Sequence, residues 1–324
     1  MTMTFINGIS FSGGFTFTTE APPPSENTAA WLAGGYNYAI GGNQSSVDRI
    51  TFATDTATSS ARGPLSAATA SPAAASNTTY GWWGGGGYGL NMSRVQRITF
   101  ATDTATATVR GPLSSGRSGC SAAGNTTDGW FGGVTPGPLS TVDRITYATD
   151  TATASVRGPL SLARGALIAA GNTTDGWFGG GSLGAPSSYA PQSTVDRITY
   201  ATDTATASVR GPLSSARSSF GATGNTTDGW FGGGNTSTGG QAPASRVDRI
   251  TYATDTVTAS VRGPLTLARF AVQAAGNTTN GWWGGGYYFS TVDRVTYATD
   301  TATASARGPL SVVRYYSAAA GGIQ

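Results

Sequence analysis

Short bursts of β-branched and aromatic residues alternate with turn formers along this chain, and the bursts recur. One copy shows the plan. Residues 165–170 are small and apolar and predict a strand. Asn172-Thr-Thr-Asp-Gly176 predicts a turn, with Asp-Gly supplying a positive φ. Trp177-Phe-Gly-Gly predicts a second strand, and Val195-Asp-Arg-Ile-Thr-Tyr200 a third, being β-branched and aromatic. A turn at 202–204 leads to a fourth strand over 205–209. Arg210-Gly-Pro-Leu213 then breaks the ladder, because proline has no N–H to donate. No stretch carries a helical period.

The third strand begins at Val47, Val95, Val142, Val195, Val247 and Val292, and the second carries Trp31, Trp82, Trp130, Trp177, Trp230 and Trp282. From each valine to the next tryptophan the distance is 35 residues, while the reverse gap varies from 10 to 18. The constant segment is therefore a packed frame and the variable one a surface loop. Four antiparallel strands at this period predict an all-β fold, a six-bladed β-propeller. The last copy lacks its tryptophan strand, and Trp31 lacks the small-residue strand that should precede it. One blade built from both chain ends repairs both deficits, with a C-terminal strand over 313–320 closing the first blade.

The expected domains are an N-terminal β arm over 1–24 and the propeller over 25–324. In the arm, a loop at Ser12-Gly-Gly14 pairs Phe11 with Phe15 and Ile9 with Phe17, giving one apolar face. A lone hairpin is marginal in water, so Ile9, Phe11, Phe15 and Phe17 are candidate attachment residues, with Pro22-Pro-Pro24 as a stiff spacer.

Arg-(x)n-Ala-Ala-Gly, the Gly-Gly doublet after an aromatic strand, Val-x-Arg-Ile-x-Tyr and the Thr-rich hairpin together resemble the kelch repeat over residues 29–320. That resemblance implies four-stranded kelch-like blades. The tryptophan that kelch repeats carry after the Tyr hairpin is Ala here (Ala154, Ala207), so the Trp-Phe or Trp-Trp pair is the candidate inter-blade aromatic. The wording Asp-Arg-Ile-Thr-Tyr-Ala-Thr-Asp-Thr-Ala-Thr-Ala-Ser-Val-Arg-Gly-Pro-Leu-Ser is also similar to repeat proteins of marine bacteriophages, especially cyanophages.

Composition narrows the chemistry. There is no histidine, one cysteine (Cys120), two glutamates (Glu20, Glu26), and every basic side chain is arginine. A histidine base, a Schiff-base lysine, a His-containing metal site and an intrachain disulfide are thereby removed. No cofactor is expected, and the chain reads as no enzyme. A net charge of +3 without a basic run gives no nucleic-acid footprint. No apolar run approaches the ~20 residues that span a bilayer, and the start has no h-region, so membrane insertion and ordinary secretion are not expected.

Nearly every charge belongs to the repeat. Asp48, Asp143, Asp196, Asp248 and Asp293 open the third strand; Asp55, Asp103, Asp150, Asp203, Asp255 and Asp300 sit at the hairpin tip. Arg117, Arg164, Arg217, Arg269 and Arg314 share one repeat position, where Thr69 stands in the remaining copy. A catalytic constellation needs unlike groups, so these read as turn formers and inter-blade partners. The alternative is an axial ring of five arginines that captures an anion. A sialidase-like site is disfavoured, because Thr-Thr-Asp-Gly-Trp-Phe has the wrong spacing for an Asp-box. The Asn-Thr-Thr copies (Asn77, Asn125, Asn172, Asn225, Asn277) read as turn starts rather than glycan acceptors, and Cys120 as a packed apolar side chain.

The loops between second and third strands hold the unlike residues: Tyr36, Tyr38, Tyr88, Leu90, Met92, Leu139, Tyr189, Tyr287, Tyr288 and Phe289. Aromatics on loops over a rigid scaffold predict a binding face, and the loop carrying Tyr287, Tyr288 and Phe289 is short enough to predict that all three stand exposed. The expected function is a non-enzymatic phage virion protein, made in the host cytoplasm. Its arm would join other virion proteins, and its loops would recognise a protein or a host-surface glycan. A carbohydrate-binding propeller is the alternative, a glycosidase-type enzyme is disfavoured, and homo-oligomerisation stays open.

Overall fold

The computed structural model describes residues 28–87, 91–135, 137–184, 190–238 and 240–321. The arm residues Ile9, Phe11, Phe15 and Phe17, and Tyr88, Leu90 and Tyr189, lie outside them. Six four-stranded antiparallel sheets form a β-propeller. Blade 4 represents the rest, with strands Ile168–Gly171, Asp175–Gly179, Val195–Thr199 and Ser208–Arg210 from the axis outward. Blade 1 takes its innermost strand, Ala318–Ala320, from the C-terminus, pairing Trp31 with Ala320 and Ala33 with Ala318. The closing strand is thus three residues, shorter than 313–320, because its leading residues form the connector.

Two further strands differ from expectation for one reason. Tyr200 leaves the third strand to open a 3-10 turn, Tyr200–Thr202. Residues 203–207 then bond to the preceding connector instead of their own ladder: Gly158 N–H donates to the Asp203 carbonyl and Ala207 N–H to that of Pro159. The outer strand starts only at Ser208, with Arg210 inside it and the break at Gly211-Pro212. Likewise Gly165 and Ala166 bond to neighbouring loops, so the inner strand begins at Ile168.

The Asn turn also works differently. Asn172 Oδ1 accepts from the backbone N–H of Thr174 and of Asp175, so the asparagine itself builds an Asx turn. Gly176 lies in the strand and is needed for space. A Cβ there would sit 2.9 Å from Ala123 Cβ and 3.0 Å from the Tyr200 hydroxyl.

The core lies between sheets. Each second-strand tryptophan stacks on the residue opening the 3-10 turn of the next blade: Trp31 on Phe100, Trp82 on Tyr147, Trp130 on Tyr200, Trp177 on Tyr252, Trp230 on Tyr297 and Trp282 on Phe52. Ring centroids are 3.7–4.0 Å apart and planes within 11°. The tryptophan N–H donates to the hairpin aspartate of that next blade, Trp177 to Asp255 at 2.8 Å, and Arg197 and Arg210 converge on the same carboxylate. So the inter-blade aromatic is the Trp pair with its Tyr or Phe partner, and the hairpin aspartates are the charged seam. The closing seam repeats the pattern, with Trp282 and Arg294 on Asp55.

Candidate binding site at the mouth of the axial channel

The connectors that lead into the inner strands are held by a second charged pair. Arg117 meets Asp143 at 2.8 Å, and Arg164–Asp196, Arg217–Asp248, Arg269–Asp293 and Arg314–Asp48 repeat it at 2.9–3.2 Å, all ten side chains being fully buried. The aspartate also accepts from the connector, as Asp143 does from Ser114 N–H and Oγ–H. Burial pulls the Arg217 guanidinium down to about 10 against the opposing charge of Asp248. These arginines are consumed inside their blades, which overturns the axial anion ring. In blade 2 both partners change together: Thr69 stands for Arg and Gln96 for Asp. Gln96 Oε1 accepts from Ser66 Oγ–H and Ala67 N–H, so no buried charge is left alone.

Anchored in this way, the connectors bring one residue from each blade to the axis in left-handed conformation: Ser71, Gly119, Ala166, Ser219, Ala271 and Tyr316, with φ between 53° and 58°. Each N–H donates to the carbonyl of its counterpart in the preceding blade. Ser71 donates to Tyr316, Gly119 to Ser71, Ala166 to Gly119, Ser219 to Ala166, Ala271 to Ser219 and Tyr316 to Ala271, a closed ring of bonds at 2.5–3.3 Å. Left-handed backbone costs ~1–2 kcal/mol per non-glycine residue, and the ring bonds offset it.

The ring borders a cavity of about 590 Å³, formed by the channel and its mouth. Six equivalent alanines (Ala74, Ala122, Ala169, Ala222, Ala274, Ala319) line it beside Ser71, Ser118, Ser121, Ser219 and Ser317, and Gln273 adds a half-buried carboxamide where other blades carry Ala, Ser, Ile or Gly. Among the described residues no charged side chain lines it. Cys120 does, just ahead of its strand, and burial pushes its thiol up to about 11, so it is no nucleophile at neutral pH.

At the mouth the sixfold plan fails on one side. The residue after the buried arginine, or after Thr69 in blade 2, is Ala70, Ser118, Gly165 or Ser218 in four blades but Phe270 and Tyr315 in the other two. They join Tyr36, Tyr38, Tyr287, Tyr288 and Tyr316 in one aromatic cluster over the seam between blades 6 and 1. Tyr315 is buried at its centre, 5.1 Å from both Tyr38 and Tyr287, and Tyr287 lies 5.0 Å from Phe270. Hydrogen bonds from Tyr288 and Tyr38 hold the Tyr287 hydroxyl below its ordinary pKa.

The expectation that three loop aromatics stand exposed holds for one. Tyr288 is 60% exposed, whereas Tyr287 and Phe289 are half-buried. The short loop cannot cover Tyr287, but the connector residues Phe270 and Tyr315 and the loop residue Tyr38 of the neighbouring blade do. Tyr288 occupies the third position of a turn closed by Phe289 N–H on the Gly286 carbonyl, at φ 67°, where glycine or asparagine is favoured. A bulky residue held there is a strained one. Of the remaining candidates, Met92 is half-buried in the loop of blade 2 and Leu139 is exposed outside the cavity lining. Phe270, Tyr315 and Tyr316 were not among the sequence candidates. Their signal was the replacement of a small residue by an aromatic at a frame position.

No protein-family model matches the chain, and no curated protein matches it significantly. The kelch and phage resemblances therefore rest on the wording of the repeat, while the six-bladed architecture stands on the strand pairing itself.

Proposed function

We propose that this propeller is a non-enzymatic recognition module whose contact surface is the aromatic mouth between blades 6 and 1. One observation carries this reading. The seams and connector pairs use up the repeat charges in equivalent roles, whereas the mouth adds a cluster of aromatic rings that the other four blades do without. Partly exposed tyrosines on a rigid scaffold give large contact area at low entropic cost. Tyr288 in a strained turn is what a surface shaped for something other than stability contains.

The phage-like repeat favours a place on a virion, with the N-terminal segment as attachment arm and a host-surface protein or glycan as the partner. The strand Ala29–Ala33 runs from the Asn-turn face towards the mouth. Particles carrying Tyr288→Ala should assemble in normal number and adsorb to host cells more slowly. Normal adsorption overturns the recognition role, and mass spectrometry that finds the chain missing from purified particles overturns the virion role.

A further inference from the structure

We infer that the mouth and channel take the end of a neutral oligosaccharide. The inference rests on the reading of the mouth as a recognition surface and adds the chemistry of what is recognised. The lining offers ring faces, serine hydroxyls and carboxamides, with no charged side chain among the described residues. That set suits a ligand with apolar C–H faces and many hydroxyls and gives nothing to neutralise a phosphate, sulfate or carboxylate. Tyr288 stands outside the lining, exposed and 5.4 Å from Tyr38, which does line the cavity, and that cavity has the size of a small-ligand site. Gln273 lies deeper, on the inner strand Gln273–Gly276. It is the one carboxamide on an inner strand at the axis. Both donor and acceptor, a carboxamide fixes the orientation of a vicinal hydroxyl pair. A sugar ring on Tyr288 with the terminal residue reaching Gln273 uses both features at once.

The test titrates the full chain with neutral hexose oligosaccharides of trisaccharide to hexasaccharide length and with their uronic acid counterparts, read by calorimetry. At least one neutral oligosaccharide should bind saturably and at least tenfold more tightly than its acidic counterpart. Tyr288→Ala and Gln273→Ala should each weaken it at least tenfold. Gln273→Ala keeps the fold, since Ala73 and Ala318 occupy the same position in blades 2 and 1. Val209→Ala, on the exposed outer edge of blade 4, should bind as the parent does. Absence of neutral binding at millimolar concentration overturns the inference, as does binding that ignores both substitutions or prefers the acidic sugars. A protein partner that Tyr288→Ala releases, in a chain that binds no saccharide, overturns the glycan and leaves the recognition surface standing. Normal adsorption of Tyr288→Ala particles is the separate result that overturns that surface.

Discussion

Two breaks in the sixfold symmetry differ in kind. In blade 2 the buried Arg–Asp pair becomes Thr69 and Gln96, and the hydrogen bonds to the connector survive. At the mouth, Phe270 and Tyr315 replace small residues, and nothing in the frame requires it, since blades 2 to 5 connect without them. The first break is compensated within one blade, which marks a structural position changing its chemistry. The second draws Tyr36, Tyr38, Tyr287 and Tyr288 from two blades into one patch. A residue shared by six blades tells how the ring is built, and the uncompensated exception is the ground of the proposed recognition surface.

The largest effect should come from splitting a pair that blade 2 replaces whole. Asp143→Ala leaves the Arg117 guanidinium buried without its counter-charge, and loss of ~3–5 kcal/mol is expected in denaturant unfolding. Arg117→Ala should cost a similar amount. If either single variant unfolds like the parent, the connector pair does not hold the blade.

A smaller effect distinguishes seams by their stacking partner. Burial raises Tyr147, Tyr200, Tyr252 and Tyr297 above the ordinary tyrosine value, while Phe52 and Phe100 fill the same position in blades 1 and 2. The folded pKa is the higher one, so each tyrosine contributes stability that is complete below pH ~10 and lost as pH rises through the folded value. Stability should fall above pH ~10 by up to about 1.4 kcal/mol per tyrosine per pH unit. Replacing the four with Phe should remove most of that fall. A quadruple variant with the same alkaline slope would contradict the assignment.

Smaller still is the effect of importing the blade 2 solution. Arg117→Thr with Asp143→Gln removes both charges, and Arg117 Nε has no partner to lose. Replacement of a whole buried pair is often neutral, so the double variant should lie within ~1.5 kcal/mol of the parent although each single loss is severe. Additive losses would show that blade 2 is rescued by something other than its Thr–Gln pair.

Much of this was legible in the chain. A constant 35-residue spacing from Val195-type to Trp230-type residues gives blade number and strand order, and the complementary deficits at the two ends give the closure. Strand limits were not legible. Residues 205–207 look like strand by composition, but the bond that holds Ala207 goes to Pro159 in the preceding connector, which no local propensity encodes. The aromatic site was half legible. Tyr36, Tyr38 and Tyr288 are conspicuous on variable loops, whereas Phe270, Tyr315 and Tyr316 hide in the constant segment. Their meeting depends on blades 6 and 1 being neighbours in the closed ring.

The most direct test of the distinction between frame and mouth is a melting comparison of two variants. Tyr38→Ser with Tyr288→Ser removes the two most exposed rings of the cluster, while Trp177→Ala removes one seam ring. Large-to-small replacement of a buried aromatic costs ~3–5 kcal/mol, and trimming these exposed rings should cost about 1 kcal/mol or less each. The account predicts a mouth variant that melts close to the parent and a seam variant that melts far below it. A mouth variant that melts as low as Trp177→Ala would show the tyrosines to be part of the frame and would contradict the account.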